Sequence, residues 1–193
     1  MVVTIGLMQR DSFDECAEVL AKTKEICAEP LERLVVKVSE SLAAGGKILF
    51  FGNGGSASDA QHLATELSVR FVKTRRSLAA FALGSNIAET TACANDFGFA
   101  RIFARQIEAL GAAGDVAIGL STSGNSENIL AAVEEAKARG IFTAAFTGES
   151  GGKLKGVADL LIAVPSTTTA RIQEMHGLLG HILCEGIERS LKL

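Results

Sequence analysis

The 193-residue chain carries 48% hydrophobic and 21% charged residues, a balance that excludes a disordered protein and suits one domain with its own core. A formal charge of −3 and a single short basic cluster (Lys73, Arg75, Arg76) exclude the broad basic face of a nucleic-acid-binding protein. No apolar run approaches the ~20 residues that span a bilayer, and the N-terminus lacks the regions of a secretory signal, so a cytoplasmic protein without a membrane partner is expected.

Residues 11–44 predict two helices. Apolar positions recur at helical spacing in Phe13, Cys16, Ala17 and Leu20, and again in Leu31, Leu34, Val35 and Val38. Pro30 separates the two, since proline suits a helix start and not its interior. Gly45 and Gly46 end the second.

Five short apolar runs follow, at 47–51, 78–83, 115–120, 142–147 and 160–164. Each has the near-continuous apolar character of a parallel strand covered on both faces. Helical patterns at 58–71, 87–110 (interrupted) and 126–139 lie between them, and a last helix runs over 169–191. Alternation of this kind predicts an α/β three-layer sandwich, a parallel sheet between helices, as one domain over 1–193. The four cysteines, Cys16, Cys27, Cys93 and Cys184, have no Cys-x-x-Cys spacing and read as reduced thiols.

In such folds ligands sit beyond the carboxyl ends of the strands. Two polar loops lie there. The second, STSGNSEN (121–128), crowds hydroxyls ahead of a helix start, where free N–H groups and the helix dipole favour an anion such as phosphate. It has no lysine, so it is not a Walker A loop. An ordinary serine-capped turn is the competing reading. The first, GNGGSA (52–57), formally matches G-x-G-x-x-G/A, yet no acidic residue ends the second strand to hold a ribose, which argues against a dinucleotide site.

Behind the first loop, His62 and Glu66 stand four apart on one helix face. Near the C-terminus Gln173, Gly177 and His181 form a second stripe, with the glycine leaving space in front of it. Two imidazoles, a carboxylate and an amide oxygen make a zinc set. The same Glu and His could instead be an acid/base pair. His176 reads as a hydrogen-bonded filler, and Asp59 as a charge favourable to the helix start.

Taken together, GNGGSASDAQH, NDFGF, STSGNS and RIQEMHGLLGHIL resemble the phosphoheptose isomerases, a branch of the sugar isomerase (SIS) domain proteins, from about residue 10 onward. The resemblance implies a flavodoxin-like five-stranded parallel sheet and a homotetramer with active sites at subunit interfaces. It implies conversion of sedoheptulose 7-phosphate to glycero-manno-heptose 7-phosphate, and one zinc ion per subunit held by His62, Glu66, Gln173 and His181. It makes Glu66 the general base and His181 its catalytic partner. The implied substrate contacts are Asn53, Gly54, Gly55, Glu66, Asn95, Asp96, Ser121, Thr122, Ser123, Ser126 and Gln173.

Two departures stand out. Segment 84–90 lacks the Asp that relatives carry after the second strand, and Ala170 replaces an acidic residue found in some of them. A related adaptor that binds a replication initiator shares the fold but lacks the Glu and the second His, both present here. A sugar-phosphate-sensing regulatory domain would need a DNA-binding module, for which residues before 45 leave no room. An isomerase of another phosphosugar stays open.

Overall fold

The computed structural model describes residues 5–193, with side chains from Arg10 onward; the first four residues of the expected domain lie outside that range. In chain order it runs α1 (Ile5–Ala43), β1 (Ile48–Gly52), α2 (Gly55–Ser68), β2 (Ala80–Ala82), α3 (Ile87–Phe97), α4 (Ile102–Leu110), β3 (Val116–Leu120), α5 (Glu127–Ala138), β4 (Phe142–Gly148), β5 (Leu160–Val164) and α6 (Thr169–Ser190). All strand pairs are parallel, in the order β2-β1-β3-β4-β5. The expected three-layer α/β architecture is therefore the observed one.

Strand alternation divides the core between two layers. Ile48 and Phe50 of β1, with Val116, Ile118 and Leu120 of β3, pack under α1, α2 and α6. Leu49 and Phe51, with Ala117, face Ile102, Phe103 and Ile107 of α4 and Ile129 and Val133 of α5. Both faces of the central strands are dry, which is why those strands read as continuous apolar runs.

The N-terminal region departs from expectation. It is one helix of 39 residues, with Pro30 inside it rather than between two helices. A proline in a helix interior costs ~3 kcal/mol. Here the buried stripe Val19, Thr23, Cys27, Leu31, Leu34, Val38 and Leu42 runs straight across it. Each buried Leu contributes about 1.5–3 kcal/mol, so Leu31 and Leu34 alone offset the penalty. The expected stripe through Phe13 and Leu20 is not the core-facing one: Phe13 is 78% exposed and Leu20 is also exposed. The strand β2 is shorter than its apolar run, and α2 starts three residues earlier than expected, directly after the glycine turn. All four cysteines are free thiols. Among the described residues no helix is long and apolar enough to cross a membrane.

Candidate active site

β1 lies between β2 and β3, so the chain leaves β1 in one direction and β3 in the other. This is the switch point at which open parallel sheets form a crevice. The two polar loops flank it. Gly52 permits the tight turn out of β1, since a Cβ there would lie 2.6 Å from the Ser56 carbonyl oxygen. Gly54 adopts φ 57, ψ −123, a conformation open to glycine and strained for any side chain.

The second loop leaves its helix uncapped. Ser126 occupies the N-cap of α5 with extended backbone angles, but its hydroxyl makes no cap; it lies 3.3 Å from the Ser121 hydroxyl. The first N–H groups of α5 thus keep their capacity for an anion, which weighs against a simple serine-capped turn. The Ser123 hydroxyl accepts from the Asn125 N–H, and the Leu154 N–H reaches back to the Gly124 carbonyl.

Beside this crevice α2 and α6 approach closely because Gly180 faces Leu63; a Cβ at 180 would meet Leu63 Cδ2 at 2.5 Å. The close approach brings His181 to His62, with Nε2 to Nε2 at 2.8 Å and the rings edge to face. Glu66 Oε1 lies 3.6 Å from His62 Nε2. One ligand atom from each of His62, Glu66 and His181 fits within a 4.8 Å span. At 2.8 Å two ring nitrogens cannot both point protons at each other, so at least one is a bare lone pair. Such a lone pair beside a second imidazole and a carboxylate fits a zinc-binding donor set. Phe71 covers His181, with ring centroids 5.6 Å apart.

Gln173 sits one stripe along α6, its amide against Gly55, where a Cβ would lie 2.8 Å from Nε2. A Cβ on Gly177 would meet nothing within 4 Å, so the space in front of the stripe is open. Asn95 and Asp96 lie exposed on α3, hydrogen-bonded to each other. Asp59 falls beyond the first turn of α2, and burial pushes its carboxyl up while His62 pulls it down. The dipole reading of Asp59 therefore fails, because that effect fades within one turn. His176 is fully buried and bonds the Thr147 carbonyl oxygen, as a filler would.

The SIS domain family matches residues 12–148, and the phosphoheptose isomerase of Paramagnetospirillum magneticum is 58% identical over 174 residues, 90% of this chain and 91% of that one. The chain belongs to the phosphoheptose isomerase family. It is an isomerase of the SIS-domain type. The phosphoheptose isomerase of Helicobacter pylori (strain Shi470) is 50% identical over 95% of both chains. The solved phosphoheptose isomerase of Neisseria gonorrhoeae superposes with a TM-score of 0.92 at 41% identity, over 96% of this chain and all of that one.

Two features of the site escaped the sequence reading. Asn128, at the start of α5, pairs with Asn53, 75 residues away. Glu188 and Arg75 anchor the segment that follows Glu66. Neither has a local signal: an amide at a helix start reads as a cap, and Glu188 reads as an exposed helical charge.

Proposed function

We propose that this isomerase converts sedoheptulose 7-phosphate to D-glycero-D-manno-heptose 7-phosphate, a cytoplasmic first step towards nucleotide-activated heptose. The observation that carries the reading is the convergence of His62, Glu66 and His181 from two helices beside the switch-point crevice. A binding protein of the same fold has no need of that constellation. The proposed sugar contacts are Asn53, Gly54, Gly55, Asn95, Asp96 and Gln173, and Ser121, Thr122, Ser123 and Ser126 receive the phosphate with the first N–H groups of α5.

The reaction moves a carbonyl from C2 to C1. Glu66 takes a proton from C1, leaving an enediol, and returns one to C2. His181 carries the proton between the two oxygens. The phosphate, held at the far loop, supplies binding energy that fixes C1 and C2 before Glu66. His62, Glu66, Gln173 and His181 would hold a zinc ion, which when bound supplies positive charge beside the developing oxyanion.

The same reading makes the chain a homotetramer with active sites at subunit interfaces. An apolar groove of about 660 Å³ between α1 and α6 supports assembly; it is lined by Leu20, Leu31, Val36, Leu178 and Ile182.

The test is turnover of sedoheptulose 7-phosphate, with product identified by NMR and zinc content measured beside it. Wild type should form the heptose phosphate and carry one zinc per chain, and a folded Glu66→Gln should form none. Binding without conversion in zinc-supplied wild type would favour the adaptor or sensor.

A further inference from the structure

The β1–β3 ladder ends at the pair Gly52 and Leu120. The next residue on the β1 side is Asn53. From there one chain turns into α2 and the other into the hydroxyl-rich loop. What joins them across the gap is a reciprocal amide pair. Asn53 Nδ2 donates to Asn128 Oδ1 at 2.9 Å, and Asn128 Nδ2 donates to Asn53 Oδ1 at 2.8 Å. Asn128 is 2% exposed, so its polar atoms need partners within the protein.

We infer that Asn128 is a positioning residue: it locks the Asn53 amide and ties the sugar-binding loop to the phosphate-binding helix. The inference rests on the proposed role of Asn53 at the sugar. Each amide keeps one N–H and one lone pair outside the ring that the two share. The pair turns over only if both amides flip together, so Asn53 presents its remaining N–H in a fixed direction. Asn128 also stands on the first turn of α5, beside the N–H groups proposed to receive the phosphate. One side chain thus sets the distance between the two ends of the ligand, and a shift of a fraction of an ångström at either end reaches the other.

Asn128→Asp preserves shape but removes the donor, setting a carboxylate oxygen against the Asn53 carbonyl oxygen. Its kcat/KM should fall on the order of tenfold at pH 8. It should recover towards wild type at mildly acid pH, where protonation restores the donor; Asn128→Ala should show no such recovery. A merely space-filling role predicts that Asn128→Asp tracks wild type at every pH, and that result would overturn the inference. A double-mutant cycle with Asn53→Ala gives a second decision if the aspartate variant does not fold. Asn128→Ala should cost little once Asn53 is already Ala, whereas additive losses would sink the proposal. The cycle is also read in the Kd for sedoheptulose 7-phosphate by calorimetry. Failure of wild-type turnover then removes sedoheptulose 7-phosphate as the substrate, while coupling in Kd still decides the role of Asn128. Absence of sugar-phosphate binding by wild type would remove both.

Discussion

Arg75 and Glu188 form an ion pair 2.9 Å long whose side chains are 2% and 3% exposed. The carboxylate also accepts N–H bonds from Phe71, Val72 and Lys73, and the guanidinium caps the carbonyls of Glu66 and Leu67 at the end of α2. This clamp holds the residue after Glu66 and seats Phe71 on His181. Removing one partner leaves the other charge buried and unpaired. Glu188→Ala should therefore destabilise the fold by about 3–5 kcal/mol, read as a lowered urea midpoint. Arg75→Ala should do the same, and the double variant should lose less than the sum. Near-wild-type stability of either single variant would show that the pair does not hold this segment.

Gly55 opens α2 with Gln173 packed against it. A methyl group there would lie 2.8 Å from the Gln173 amide nitrogen and displace that side chain. The backbone of residue 55 is helical, so Gly55→Ala should hold or raise stability, by up to ~1 kcal/mol. Activity should move the other way. Displacement of a side chain proposed to contact the sugar should lower kcat/KM by roughly tenfold to a hundredfold. Denaturation and steady-state kinetics on one preparation decide it; unchanged kinetics would remove Gln173 from the machinery.

His176 supplies a pH prediction. Burial pushes its pKa from 6.5 down to about 4, against a smaller upward pull from the Thr147 carbonyl. The carbonyl can only accept, so Nε2 carries the proton and Nδ1, which has no partner, is a bare lone pair. Between those two values the unfolded chain takes up a proton that the folded chain refuses. This contribution to stability is thus complete above pH 6.5 and falls as pH drops towards 4. About 2 kcal/mol should be lost between pH 7 and pH 5. His176→Gln keeps a donor for Thr147 without the titration, so its urea midpoints should be flatter over that range. Parallel profiles for the two proteins would refute the assignment.

The readable parts of this molecule were those encoded by local period. Five apolar runs flanked by helical stripes gave the sheet and its layers, and the i, i+4 spacing of His62 and Glu66 gave one wall of the site. The unread parts depend on tertiary contacts. Pro30 carries a helix-breaking signal that loses to the buried Leu31 and Leu34, which follow it on the core-facing stripe. Asn128 and Asn53 meet only because β1 and β3 are neighbours. Gly180 shows its purpose only when Leu63 is placed opposite. Asn95 and Asp96 bear on the sugar through the resemblance; within the single chain they pair with each other on an exposed helix.

The outer face of α1 and α6 gives the last prediction. Val36 and Ile182 are 52% and 42% exposed, and both line the groove between these helices. Ile26, on the same helix as Val36, is 54% exposed. Scattered exposed side chains need no partner, but an apolar groove running along two long helices is where helix-on-helix assembly would bury area. Val36→Lys and Ile182→Lys place charges there without touching the core. Light scattering should show wild type as a tetramer and the double variant as smaller species, with helix content by circular dichroism unchanged. Sedoheptulose 7-phosphate turnover should fall with the tetramer, because the proposed active sites lie at subunit interfaces. A dissociated variant with full activity would place the complete site within one chain, and an intact tetramer would move the interface to another face.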